Sequence, residues 1–174
     1  MLSNLLAVIV VGGLPVIWSY FIASQEDYEV RQYLYVPDFM YWGWIVSMVL
    51  TVVSYFTLAY TFIWGIEDGT VLSTSPEKIE PFLCATYALF LASAGQWVHH
   101  VIYDIQNRQK SIWHMINLYG TAAFSIAIGI FAFGIHGIDN TLMVMAKIAG
   151  GYLIFHHLAV DAIIWYSNWN VEGL

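Results

Sequence analysis

Tyr41–Trp64 reads YWGWIVSMVLTVVSYFTLAYTFIW, a run without a single Asp, Glu, Lys or Arg. An α-helix needs about 20 such residues to cross ~30 Å of hydrocarbon, and it bonds its backbone groups internally, as that medium demands. Three further runs obey the same rule, Leu5–Ala23, Pro81–Tyr103 and Ile112–Ile135, and a fourth, Thr141–Tyr166, departs from it only at Lys147 and Asp161. The composition agrees. Of 174 residues, 60% are hydrophobic and 10% charged, where a soluble domain carries about a quarter charged; the mean hydropathy is +0.68. The expected fold is all-α and integral to the membrane. Five transmembrane helices form an antiparallel bundle, one transmembrane domain over residues 1–174.

The first run has no basic segment before it and no small-residue cleavage motif after it, so it is expected to remain as a helix rather than act as a signal peptide. Gly12, Gly13 and Pro15 predict a kink there. Pro81 suits the first turn of the third span, where its missing N–H costs nothing. The loops are short. Gln25–Phe39, QEDYEVRQYLYVPDF, mixes charge with aromatics as a segment in the headgroup region does. Trp18, Trp42, Trp44, Trp64, Trp97, Trp113, Trp165 and Trp169 fall near span ends, as an interfacial aromatic belt predicts. Arg31, Arg108 and Lys110 lie on the face of loops one and three and the C-terminus, against Lys78 and Lys147 opposite; the positive-inside rule places the former face in the cytoplasm. A net charge of −7 argues against a nucleic-acid partner. The partners expected are the lipid bilayer and other membrane subunits. Cys84, the one cysteine, supports no disulfide framework.

Two stretches break the apolar pattern in the same way. QWVHHVIYD (Gln96–Asp104) ends the third span and FHHLAVD (Phe155–Asp161) lies in the fifth, each carrying HHxxxD. The two spans run in the same direction, so both motifs are expected at one membrane end, where His114 opens the fourth span; His136 is left at the other. The turns FIWGIEDGT and AFGIHGIDNT add a Gly-Ile-acid echo, which suggests an internal repeat of spans two and three as four and five. In an α-helix, positions four apart share a face. His100 therefore pairs with Asp104 and His157 with Asp161, while His99 and His156 point aside as outer donors or ligands of a second ion. Ser93, Gln96 and His100 form a stripe on span three, His114, Asn117, Thr121 and Ser125 one on span four, and Ser47, Thr51 and Ser54 one on span two. All are expected to face the interior.

Four readings of this cluster stay open. The first is a metal site, mono- or dinuclear, near one interface. His100, Asp104, His157 and Asp161 are the ligands, then His114, His99 and His156, with Gln96 and Asn117 supporting them. Such nitrogen and oxygen donors suit zinc or iron, with imidazole-rich copper also in view. An ion with open positions could activate water for hydrolysis or dioxygen for oxidation of a hydrophobic substrate, under a lid formed by Tyr28–Phe39. The second is a b-type haem between His100 and His157, with Gly95, Gly150 and Gly151 leaving room for the ring. The third is a proton or ion relay that also uses Glu67, Asp68, His136 and Asp139. The last is an accessory subunit whose His–Asp bonds fasten helices. No phosphate-binding glycine loop, GxSxG, CxxC or HExxH occurs.

Overall fold

The structure, a computed structural model, describes residues 2–25, 38–66 and 70–168. Most of the aromatic loop (residues 26–37), Glu67, Asp68 and Trp169 lie outside them. Five helices account for nearly all the rest: α1 (Ser3–Gln25), α2 (Asp38–Tyr60), α3 (Pro76–Asn107), α4 (Ile112–Phe133) and α5 (Asn140–Ile154). Two π-helical segments interrupt the regular geometry. Thr61–Gly65 ends α2, and Phe155–Trp165 continues α5 into a last turn at Tyr166–Asn168. The spans built on α2 to α5 are long and apolar enough to cross a membrane, and α1 is apolar over Ser3–Ser19. The chain is a helical membrane bundle. It shows large apolar side chains outward, among them Ile17, Phe56, Ile130 and Ile148, where in lipid they carry no hydrophobic cost.

Helix α1 stays helical through Pro15. Ser19 Oγ donates to Pro15 O and across to Gly95 O of α3, so α1 is fastened where its backbone comes near α3. Helix α3 begins five residues before the expected Pro81, at Pro76, whose missing N–H again falls in the first turn. Where α4 meets α5, Gly129 and Gly150 let the backbones touch: a Cβ on Gly150 would lie 2.8 Å from Ala132 Cβ and 3.3 Å from Gly129 Cα. Small residues at such a contact replace the hydrophobic drive that lipid removes.

The helices pack in the order α1–α3–α4–α5–α2. This ring is incomplete: among the described residues α1 and α2 barely touch along their lengths. Among those residues they meet at one end, where Leu2 N–H donates to Ile63 O at 3.1 Å. At that same end Glu80 accepts from Asn4 N–H at 3.0 Å. A two-stranded clip there pairs β1 (Thr70–Val71) with β2 (Ile135–His136) and joins the second and fourth loops. Leu72 N–H donates to Gly134 O at 2.9 Å and Ser73 N–H to His136 Nε2 at 3.2 Å, so His136 serves the clip.

The polar stripes on α2 and α4 face inward, whereas on α3 Ser93 and His100 are half-buried and Gln96 is exposed. Ser47, Thr51 and Ser54 on α2, and His114, Asn117, Thr121 and Ser125 on α4, are all buried. Several fasten neighbouring helices: Ser93 Oγ of α3 lies 2.6 Å from Thr121 Oγ1, and Asn117 Nδ2 donates to Ser93 O at 2.9 Å.

Candidate metal centre

The second HHxxxD motif lies in the π-helical segment Phe155–Trp165, and this changes which residues face one another. In an α-helix residues five apart are turned ~140° from each other. A π-helix bonds i to i+5 and brings those residues onto one face; the Tyr166 N–H accordingly reaches Asp161 O. His156 rather than His157 now stands over Asp161, with Nε2 3.3 Å from Oδ2. The wider turn also keeps His157 close. One ligand atom from each of His156, His157 and Asp161 lies within 4.8 Å of the others. Donors held about 2.0–2.2 Å from one ion stand roughly 3–4 Å apart, so closing on an ion asks for a shift of about 1 Å or less.

Neighbouring helices fix the rings. Ser125 Oγ donates to Thr121 O at 2.9 Å, so toward His157 it can only accept. His157 Nδ1, 3.0 Å from both Ser125 Oγ and Leu153 O, faces two acceptors and must carry the proton. The Nε2 of a neutral His157 is thereby left with its lone pair, as a metal ligand requires. Phe90 of α3 holds the ring edge-on at 5.2 Å. His156 Nδ1 is 2.8 Å from Ser47 Oγ of α2, which lies 2.9 Å from Tyr152 OH. These hydroxyls can reverse polarity, so His156 is able to take either tautomer. Asp161 Oδ1 accepts from Trp44 Nε1–H at 3.1 Å. The histidine side chain is 4% exposed and the carboxylate 17%; a charge there costs ~2.5–3.5 kcal/mol at a span centre on insertion scales unless a cation or proton offsets it.

The first motif is built differently. Asp104 and His114 are fully buried, with Oδ2 2.7 Å from Nδ1. Asp104 Oδ1 accepts from the N–H of Ser111 at 2.8 Å. Ser111 caps α4 through Trp113 N–H, and Arg108 closes α3 in the left-handed conformation, φ 50°, with its N–H on Asp104 O. Lys110 Nζ donates to Tyr166 O at 3.2 Å, tying the turn to the end of α5. Asp104 therefore pins the α3–α4 turn.

Of the residues the sequence singles out, His156, His157 and Asp161 come together, and Asp104 and His114 form a separate pair. His100 is half-buried and stacks on His114 at 6.3 Å. His99 and Gln96 are exposed, and Asn117 bonds Ser93. Of the glycines expected to leave room for a haem, Gly95 faces Pro15 and Val16 of α1, Gly150 faces Gly129 and Ala132, and a Cβ on Gly151 would lie 3.6 Å from the Phe133 ring. Trp44, Ser47, Tyr152 and Ser125 support the cluster and were not singled out for it; the buried stripes on α2 and α4 were the available signal. Comparison with protein-family models, curated proteins and solved structures finds no match.

Beside the cluster a cavity of about 640 Å³ runs between α1, α2 and α3, and His156, His157 and Asp161 form part of its wall. Its other lining residues are mostly apolar, including Val16, Met48, Phe90 and Trp97.

Proposed function

We propose that His156, His157 and Asp161 bind a divalent transition-metal ion and that the protein is a membrane metalloenzyme acting on a hydrophobic substrate. The observation that carries this is the aimed Nε2 of His157, held by two acceptors on its other nitrogen, beside a second imidazole and a carboxylate within 4.8 Å. Two imidazoles and one carboxylate form the donor set of catalytic zinc sites and of non-haem iron oxygenases. Three protein ligands leave positions for substrate, water or dioxygen, and the cavity supplies an apolar approach to them. The ion would offset the buried charge of Asp161. The ligands' outer contacts run to three helices, α2, α4 and α5 itself, so the bundle positions the site.

Elemental analysis and an absorption spectrum, on protein purified in mild detergent without chelator or nickel, test this. The expected result is about one equivalent of iron or zinc, lost in His157→Ala. A folded protein without stoichiometric metal overturns the reading. The hydrogen-bonded series Tyr152–Ser47–His156, with the Asp161 carboxylate 3.3 Å beyond it, would then favour a proton relay, which proton flux in liposomes would reveal.

A further inference from the structure

We propose that the open seam between α1 and α2 admits, from the bilayer, an uncharged single-chain lipid bearing an oxygen, whose polar end reaches His156, His157 and Asp161. The orientation of that polar end rests on the metal reading; occupation of the seam does not.

The seam follows from the helix order. Because α1 packs on α3 and α2 on α5, the two diverge from their contact at Leu2 and Ile63, and the cavity lies between them. Its rim residues Val10, Ile17, Val52 and Phe56 are 49–68% exposed, so the mouth opens on the lipid-facing surface. The volume, about 640 Å³, falls among those of small-molecule sites, roughly 300–1,000 Å³. A whole transmembrane helix, ~30 Å long and about 10 Å wide, fills roughly 2,400 Å³ and does not fit, whereas an acyl chain does.

The wall also selects chemistry. Among the described residues no Lys or Arg lines the cavity, and Asp161 is the one acid that does, which disfavours a phosphate or other anionic headgroup. Thr51 and Thr121 donate their hydroxyl protons within their own helices, to Ser47 O and Asn117 O. The Tyr55 hydroxyl is different: it is buried and has no hydrogen-bond partner among the described residues. Its unmet donor marks a place for an acceptor oxygen on the ligand. Phe90 stacks on Tyr55 at 5.9 Å and meets His157 at 5.2 Å, linking that donor to the cluster.

Gly13 provides the test. It lines the cavity, and a Cβ there meets nothing within 4 Å, so a large side chain can enter the seam without displacing the bundle. Gly43 has the same freedom but lines a separate pocket on the other side of Trp44. The protein in liposomes is irradiated with a long-chain fatty alcohol carrying a mid-chain diazirine, and adducts are mapped by mass spectrometry. The wild type is expected to be labelled at seam residues such as Val16, Met48 and Leu91. Gly13→Trp should lower that labelling about tenfold, a loss of about 1.4 kcal/mol, Gly13→Leu should lower it less, and Gly43→Trp should match the wild type. Equal seam labelling in wild type and both Gly13 variants overturns the proposal, as do wild-type adducts spread evenly over outward residues such as Ile130 and Ile148. Metal content is read in parallel. Seam labelling without metal would sink the metal reading alone; metal without seam labelling would sink this one alone.

Discussion

Replacing Asp104 and replacing Asp161 should have opposite consequences, although the two residues end identical motifs. Asp104→Ala removes two short hydrogen bonds from a fully buried carboxylate, at 2.8 Å to Ser111 N–H and 2.7 Å to His114 Nδ1. Hydrogen bonds to charged groups contribute about 1.5–3 kcal/mol each in soluble proteins, while helix-to-helix bonds in lipid average ~0.6 kcal/mol. Two of them give an expected loss of about 2–4 kcal/mol. For a chain of this size that lowers Tm by about 5–15 °C. Asp161 has longer contacts, 3.1 Å to Trp44 and 3.3 Å to His156. Asp161→Ala should cost less than about 1 kcal/mol in metal-free protein, since it also removes a poorly solvated charge. The assay is thermal unfolding in mild detergent, followed by far-ultraviolet circular dichroism after chelator treatment; this removes the stabilisation that bound metal itself provides. Metal content is then measured on untreated samples. Asp104→Ala should retain metal at reduced Tm, and Asp161→Ala should lose metal at nearly unchanged Tm. If Asp104→Ala loses the ion while keeping its Tm, or Asp161→Ala shows the greater melting loss, the division of labour between the motifs is wrong.

The other predictions address the surroundings of the cluster. His157→Ala should release the ion, whereas His136→Ala and His99→Ala should leave it bound, because one serves the strand clip and the other is exposed; elemental analysis of the three variants decides. Ser125→Ala and Ser47→Ala should weaken metal affinity about 10–100-fold by freeing the imidazole rings, as chelator competition would show; unchanged affinity would mean the serines do not orient them. Metal should dissociate on acidification, since its ligands bind only when imidazole is neutral and carboxylate ionised; titrating metal release against pH checks the sign. Gly150→Val should cost about 1–3 kcal/mol because its side chain would meet Ala132 and Gly129, and thermal melts would register it.

Hydropathy made the helices readable because lipid imposes one rule on every residue of a span. The inward stripes were readable for a related reason: hydroxyls and amides at helical spacing must find partners across helices. The facing of the cluster was not. Nothing in FHHLAVDAIIW, which has neither Pro nor Gly, announces a π-helix, and the i, i+4 rule selects His157 for Asp161 where the i, i+5 geometry selects His156. Two adjacent histidines before an aspartate are compatible with either register. The two HHxxxD copies also read alike in sequence, yet their partners come from elsewhere. Asp104 meets residues seven and ten positions on, through a turn in which Arg108 adopts positive φ, and Asp161 meets Trp44 across the bundle. The seam was hidden too, since it depends on which helices are neighbours.

The strand clip sets how that seam can move. With the Leu2–Ile63 and Asn4–Glu80 bonds it holds α1, the end of α2, the start of α3 and the end of α4 together at one end of the bundle. Toward the other end α1 is bonded to α3 through Ser19 and Gly95, and α2 to the π-helical segment through Trp44 and Ser47. The molecule is thus two arms on a common pivot. Helix α2, 23 residues and about 34 Å long, moves its far end by about 3 Å for each ~5° of rotation. Such a swing pulls on the bonds from Trp44 and Ser47 that orient Asp161 and His156, so widening the entrance and loosening the cluster are one mechanical act.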